Sequence, residues 1–81
     1  MFDQLSDYLE NSIDEEDYLF NGIFIKIYRE ELHYSLHTVA SLLGVTYQQV
    51  QKWENNTNVP NANYLYRLSV ILQKSMDSFF A

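Results

Sequence analysis

The stretch Ser35–Glu54, SLHTVASLLGVTYQQVQKWE, constrains the fold of this chain more than any other. Ser35 suits an N-cap, where a hydroxyl accepts a bond from an otherwise unpaired backbone N–H. Leu36, Val39, Ala40 and Leu43 then recur at helical spacing and make one apolar stripe. Gly44 stands where that helix must stop, because glycine takes the left-handed conformation without a side-chain clash. Thr46 suits a second N-cap. Val50 and Trp53, three apart, turn inward from the helix it opens, while Tyr47, Gln48, Gln49, Gln51, Lys52 and Asn55 stay outside. The pattern spells a helix, a tight turn and a second helix.

The flanking sequence is also helical in character. Phe2, Leu5, Leu9 and Ile13 lie at steps of three and four with acids between them. This reads either as a solvated tail, since short isolated helices are marginal in water, or as a helix docked on the domain or on a partner. Asp14–Asp17 suits the first turn of the next helix, where acids offset the positive end of the dipole. Ser12 and Glu15 stand at capping-box spacing. The next helix is expected from Tyr18 to Leu32. It has one apolar row of Ile25, Tyr28 and Leu32, and another of Phe20, Ile23, Phe24 and Ile27. So wide an apolar surface is seldom left in water, so the second row is expected to be covered by the Phe2–Leu5–Leu9 segment or by a second subunit.

After Glu54 the run NNTNVPNANY reads as a loop, because asparagines tolerate left-handed backbone and Pro60 has no N–H to give a helix interior. Asn61 or Asn63 caps a helix running to about Leu72, with Leu65, Leu68, Ile71 and Leu72 apolar. A last short helix is expected in MDSFFA, where Met76, Phe79 and Phe80 close the core, form a dimer contact, or both. No stretch alternates strongly enough for a strand. The expected fold is all-α, with five helices in a domain of residues 18–81 after an acidic extension, residues 1–17, that adds a sixth helix if it folds.

The length, 81 residues, fits one domain, and 47% hydrophobic content places it among globular chains. Without cysteine there is no disulfide or thiolate metal site. His33 and His37 are four apart, but His33 falls at a helix end and His37 in the next helix, so they share no face. No HExxH, nucleophile–histidine–acid set or glycine-rich phosphate loop occurs. An enzyme, a metal site and a cofactor are therefore not expected. The first residues lack a basic stretch and no apolar run nears the ~18 residues of a membrane span, so a soluble cytoplasmic protein is expected.

The outer face of the second helix is rich in amides, which can pair with adenine edges in a DNA major groove. Charge argues the other way. The net is −6, whereas nucleic-acid binders draw much of their affinity from basic groups on phosphates. The acids are unevenly placed: residues 1–21 hold seven and no base, and residues 22–81 hold five bases and four acids. The domain is thus nearly neutral but lacks a basic stripe. Affinity per monomer should be modest, and dimerisation would be needed to raise it.

Residues 22–80 resemble the Cro and phage-repressor type of helix-turn-helix domain, the XRE-like family. The likeness is strongest in GVTYQQVQKWENNTN and continues in YLYRLSVILQKSMDSFF. It implies a five-helix domain of a DNA-binding transcriptional regulator, a homodimeric repressor on a two-fold site in double-stranded DNA. By this resemblance Gln48, Gln49 and Lys52 would reach bases with Gln51 beside them, Tyr47 would meet a phosphate or a base methyl, and Thr46, Asn55, Asn56, Thr57 and Asn58 would meet phosphates. Arg29 and Glu54 match a structural ion pair tying the first helix to the third. The chain departs from the family at Leu36, where a glutamine is usual, at Phe24 and Ile27, where charges are common, and at His33, often glycine. These departures weaken phosphate contact and widen apolar surface. They fit the alternative of a protein-interaction module, antitoxin-like or accessory, whose acidic arm or first helix binds a partner.

Overall fold

Four α-helices and one 3₁₀ turn make up the regular structure of residues 19–81, the part that the computed structural model describes. They are α1 (Ile23–Glu31), α2 (Leu36–Leu43), α3 (Tyr47–Glu54), α4 (Ala62–Ile71) and the 3₁₀ turn Met76–Phe79. The expected fifth helix is therefore a single 3₁₀ turn among the described residues. The readings of the acidic extension, including the Ser12–Glu15 capping box, lie outside them. No helix among the described residues is long and apolar enough to cross a membrane.

The first helix starts later than its apolar spacing predicts. Phe20 is extended and forms an antiparallel bridge with Phe80, their rings meeting edge to face at 6.1 Å. The Asn21 N–H donates to the Phe79 carbonyl (3.0 Å) and that of Ala81 to Leu19 (3.1 Å). An apolar residue leading into a helix can match the helical period by chance, and periodicity alone cannot separate the two. Gly22 then opens α1 against the end of α3. A Cβ there would overlap the Trp53 carbonyl oxygen, so this glycine is required by close approach, since its φ of −63° suits any residue.

The helix starts follow local chemistry. The side chains of Ser35, Thr46 and Asn61 accept from the N–H groups of Thr38, Gln49 and Tyr64. The ends repeat one device. The N–H groups of Tyr34, Val45, Thr57 and Lys74 each donate to the carbonyl five residues back, at Arg29, Ala40, Lys52 and Ser69. In each case the preceding residue is left-handed: His33 (φ 59°), Gly44 (73°), Asn56 (60°) and Gln73 (59°). Only one of the four is glycine.

Ile25, Val39, Ala40, Leu43, Val50, Trp53, Leu65, Leu68, Leu72 and Phe79 form one buried core drawn from all the elements. Each large side chain in it contributes roughly 1.5–3 kcal/mol by leaving water. Phe79 is fully buried, with the Tyr28 ring edge-on at 5.5 Å, and Tyr28 Oη donates to the Ser78 carbonyl (2.7 Å). Phe79 therefore closes the core, and its side chain is unavailable as a dimer contact. Phe80 is half-buried and Met76 stays exposed. The second apolar row of the first helix splits. Phe20 packs on Phe80 and Phe24 stacks on Tyr28, while Ile23 and Ile27 remain 41% and 43% exposed among the described residues.

Candidate nucleic-acid interface

The orientation of α3 is set from below. Val50 and Trp53 sit in the core, and Glu54 at the last turn reaches Arg29 of α1. Arg29 Nε donates to Glu54 Oε2 (2.8 Å) and Nη2 to Oε1 (3.2 Å), while Nη1 donates to the Tyr34 carbonyl (2.9 Å). Both side chains are nearly buried. The bond to Glu54 raises the Arg29 pKa above its ordinary value, desolvation opposes it, and the charges of Glu54 and Glu30 add to it. A forked guanidinium–carboxylate pair fixes direction as well as distance. It therefore locks the roll of α3 about its own axis.

Held this way, α3 turns Tyr47, Gln48, Gln51 and Lys52 outward, with Asn55 exposed just past its end. Gln49 differs from its expected outward place. It is half-buried, and its Nε2 donates to Asn58 Oδ1 at 3.2 Å, which ties the first turn of α3 to the loop before α4. A cleft lies between them, lined by Thr46, Gln49, Asn58, Asn61 and Tyr64 among others. Thr46 and Asn61, its two capping residues, put the N-termini of α3 and α4 at this cleft. Thr57 is exposed on the same loop.

Asn56 has an internal task. Its Oδ1 accepts from the Gly22 N–H (2.8 Å) and its Nδ2 donates to Asn21 Oδ1 (3.0 Å). Both polar ends of the side chain join the start of α1 to the end of α3. Leu36, where the family usually has glutamine, packs against the core. The next residue, His37, is exposed, and its ring lies 4.3 Å from that of Tyr47. Sequence reasoning missed this contact, because residues ten apart in two helices meet only once the turn angle is known.

Cations are thin on this face. Lys52 is the only basic residue in α3. Arg29 is committed to Glu54, Arg67 lies over the Tyr64 ring (5.7 Å), and Lys74 lies over Tyr28 (4.8 Å). Among the described residues no three His, Cys, Asp or Glu side chains gather closely enough to hold a metal ion.

A short helix pair joined by a tight glycine turn, whose second helix shows a polar outer face, is a helix-turn-helix. A family model described as helix-turn-helix matches residues 25–79, from α1 to the terminal turn. The chain belongs to this family, the XRE-type helix-turn-helix regulators. It is 37% identical over 59 residues to an uncharacterized HTH-type transcriptional regulator of Sinorhizobium medicae, covering 73% of this chain and 42% of that protein. The chain thus spans about two-fifths of that relative's length.

Solved structures agree on the fold. The P22 c2 repressor in complex with a synthetic operator is 27% identical with a TM-score of 0.71, over 76% of this chain and 94% of that one. The biofilm master regulator SinR in complex with DNA is 34% identical with a TM-score of 0.63, over 68% and 89%. Hydroxypropylphosphonic acid epoxidase from S. wedmorenis is 28% identical with a TM-score of 0.67, over 74% of this chain but 32% of the enzyme. That likeness is therefore to one part of a larger enzyme.

Proposed function

We propose that this protein is a sequence-specific DNA-binding transcriptional regulator, acting as a homodimeric repressor from the cytoplasm and without catalytic activity. The observation that carries the reading is the setting of α3. Its inner side is fixed by Val50, Trp53 and the Arg29–Glu54 pair, and its outer side offers Tyr47, Gln48, Gln51 and Lys52. Two structural neighbours of the same fold were solved with DNA. In this reading α3 enters the major groove. Gln48 pairs with an adenine edge and Lys52 with a guanine edge, and Tyr47 and Gln51 take flanking contacts. Gln49 braces the loop. Thr46, Asn55, Thr57 and Asn58 approach phosphates beside the N-termini of α3 and α4, where backbone N–H groups favour an anion.

Selection of duplexes from a random pool at low salt tests this. A sequence should be enriched that repeats about a two-fold axis, with half-sites one helical turn, roughly 34 Å, apart. Absence of any enriched sequence contradicts the proposal.

One observation favours a second reading, a protein-interaction module. Leu19, Ile23 and Ile27 are 60%, 41% and 43% exposed, Ile23 and Ile27 one turn apart on α1 and Leu19 in the segment leading into it. A partner bound there would be lost on changing Ile23 and Ile27 to serine, while the α3 face would be untouched.

A further inference from the structure

The contact between His37 and Tyr47 has no place in the core and none in the contacts assigned so far. His37 is exposed in the first turn of α2 and Tyr47 opens α3 with 37% of its surface exposed. Their ring centroids lie 4.3 Å apart with a tilt of 40°. Tyr47 is the first residue of the helix that the DNA-binding reading places in the groove, and Leu36 of α2 is half-buried against the core. A free aromatic side chain at such a position samples several staggered rotamers. A second ring against one side leaves it fewer, while 37% of the Tyr47 surface stays exposed.

We propose that His37 is a positioning residue for Tyr47, and that together they present the Tyr47 ring to a thymine C5-methyl group in the major groove. The inference rests on the DNA-binding reading above. Thymine is the one base that shows a methyl group in that groove, and apolar side-chain surface is what recognises it. Preorganising the ring from α2 lowers the side-chain ordering that binding requires. His37 does its work through its ring, so phenylalanine should replace it and alanine should not.

The test uses the full chain and an operator duplex from the selection described above. Each thymine is replaced in turn by deoxyuridine, which removes only the methyl. Wild type should lose about fourfold in affinity at one thymine of each half-site, the size expected for burying one methyl-sized group. His37→Phe should show the same loss. His37→Ala and Tyr47→Ala should bind the unmodified operator more weakly and be indifferent to the uracil. Their double variant should bind no worse than Tyr47→Ala alone. Melting temperatures of all variants should match wild type, because both side chains lie outside the core.

If no thymine shows a methyl effect that depends on His37, while Gln48→Ala and Lys52→Ala still weaken operator binding, the inference is wrong and the DNA-binding reading stands. Additive losses in the double variant likewise overturn it. If no operator is enriched, both fail.

Discussion

Arg29 and Glu54 are the clearest case of one residue pair setting a larger geometry. Each is buried to more than nine-tenths, and the forked bond joins α1 to the last turn of α3. Removing one partner leaves the other charge buried and unpaired. Glu54→Ala should therefore cost about 3 kcal/mol in chemical denaturation, and the Arg29→Leu/Glu54→Leu pair less than the two single changes combined. The raised pKa of Arg29 gives a pH corollary. Its contribution is complete below the unfolded value and is lost only as pH rises through the higher folded value. Stability between roughly pH 6 and 9 should carry no step from Arg29. At His33 the backbone works against the residue. It holds φ 59° where a side chain costs about 1 kcal/mol or more. His33→Gly should stabilise by up to about 1 kcal/mol in the same assay, part of the gain being offset by the freer unfolded chain.

At the scale of elements, the terminal 3₁₀ turn is bound to α1 through Phe79 and Ser78. Phe79 is fully buried and Tyr28 reaches the Ser78 carbonyl, while Met76 lies 36% exposed. Thermal or denaturant unfolding should show Phe79→Ala costing about 3–5 kcal/mol and Met76→Ala less than about 1 kcal/mol. Equal effects would mean that the turn packs differently.

The helix starts were legible in sequence, because Ser35, Thr46 and Asn61 are strong caps before periodic apolar residues. The turn at Gly44 was legible for the same local reason. The ends after Leu32, Glu54 and Leu72 were legible to within a residue, but the left-handed backbone at His33 and Gln73 was not, since neither residue is glycine and only the bond five residues back reveals it. The start of α1 was misplaced because Phe20 fits the helical period while belonging to a bridge with Phe80. At the candidate site, outward Gln48, Gln51 and Lys52 follow from spacing within one helix. The internal bonds of Asn56, the turn of Gln49 towards Asn58 and the His37–Tyr47 contact depend on how separate segments meet, which spacing does not encode.

For the whole molecule the issue is how a chain of net charge −6 would hold DNA under the proposed function. Three of the five cations are engaged within the domain, at Arg29, Arg67 and Lys74. Lys52 alone serves α3. Sequence-independent affinity scales with the number of phosphates neutralised, so little of it is available here. Under the proposed function, binding would rest on base contacts, on backbone N–H groups at helix starts, and on two copies acting together. The α3 face would thus carry more of the binding than in a basic protein. The most direct measurement is the affinity of Gln48→Ala/Lys52→Ala for the duplex that wild type selects, taken alongside the melting temperature of each protein. The proposed function implies a loss of at least about tenfold, since each good base contact contributes about 1–3 kcal/mol of discrimination, with melting temperature unchanged. Equal affinity of the two proteins for that duplex would contradict it.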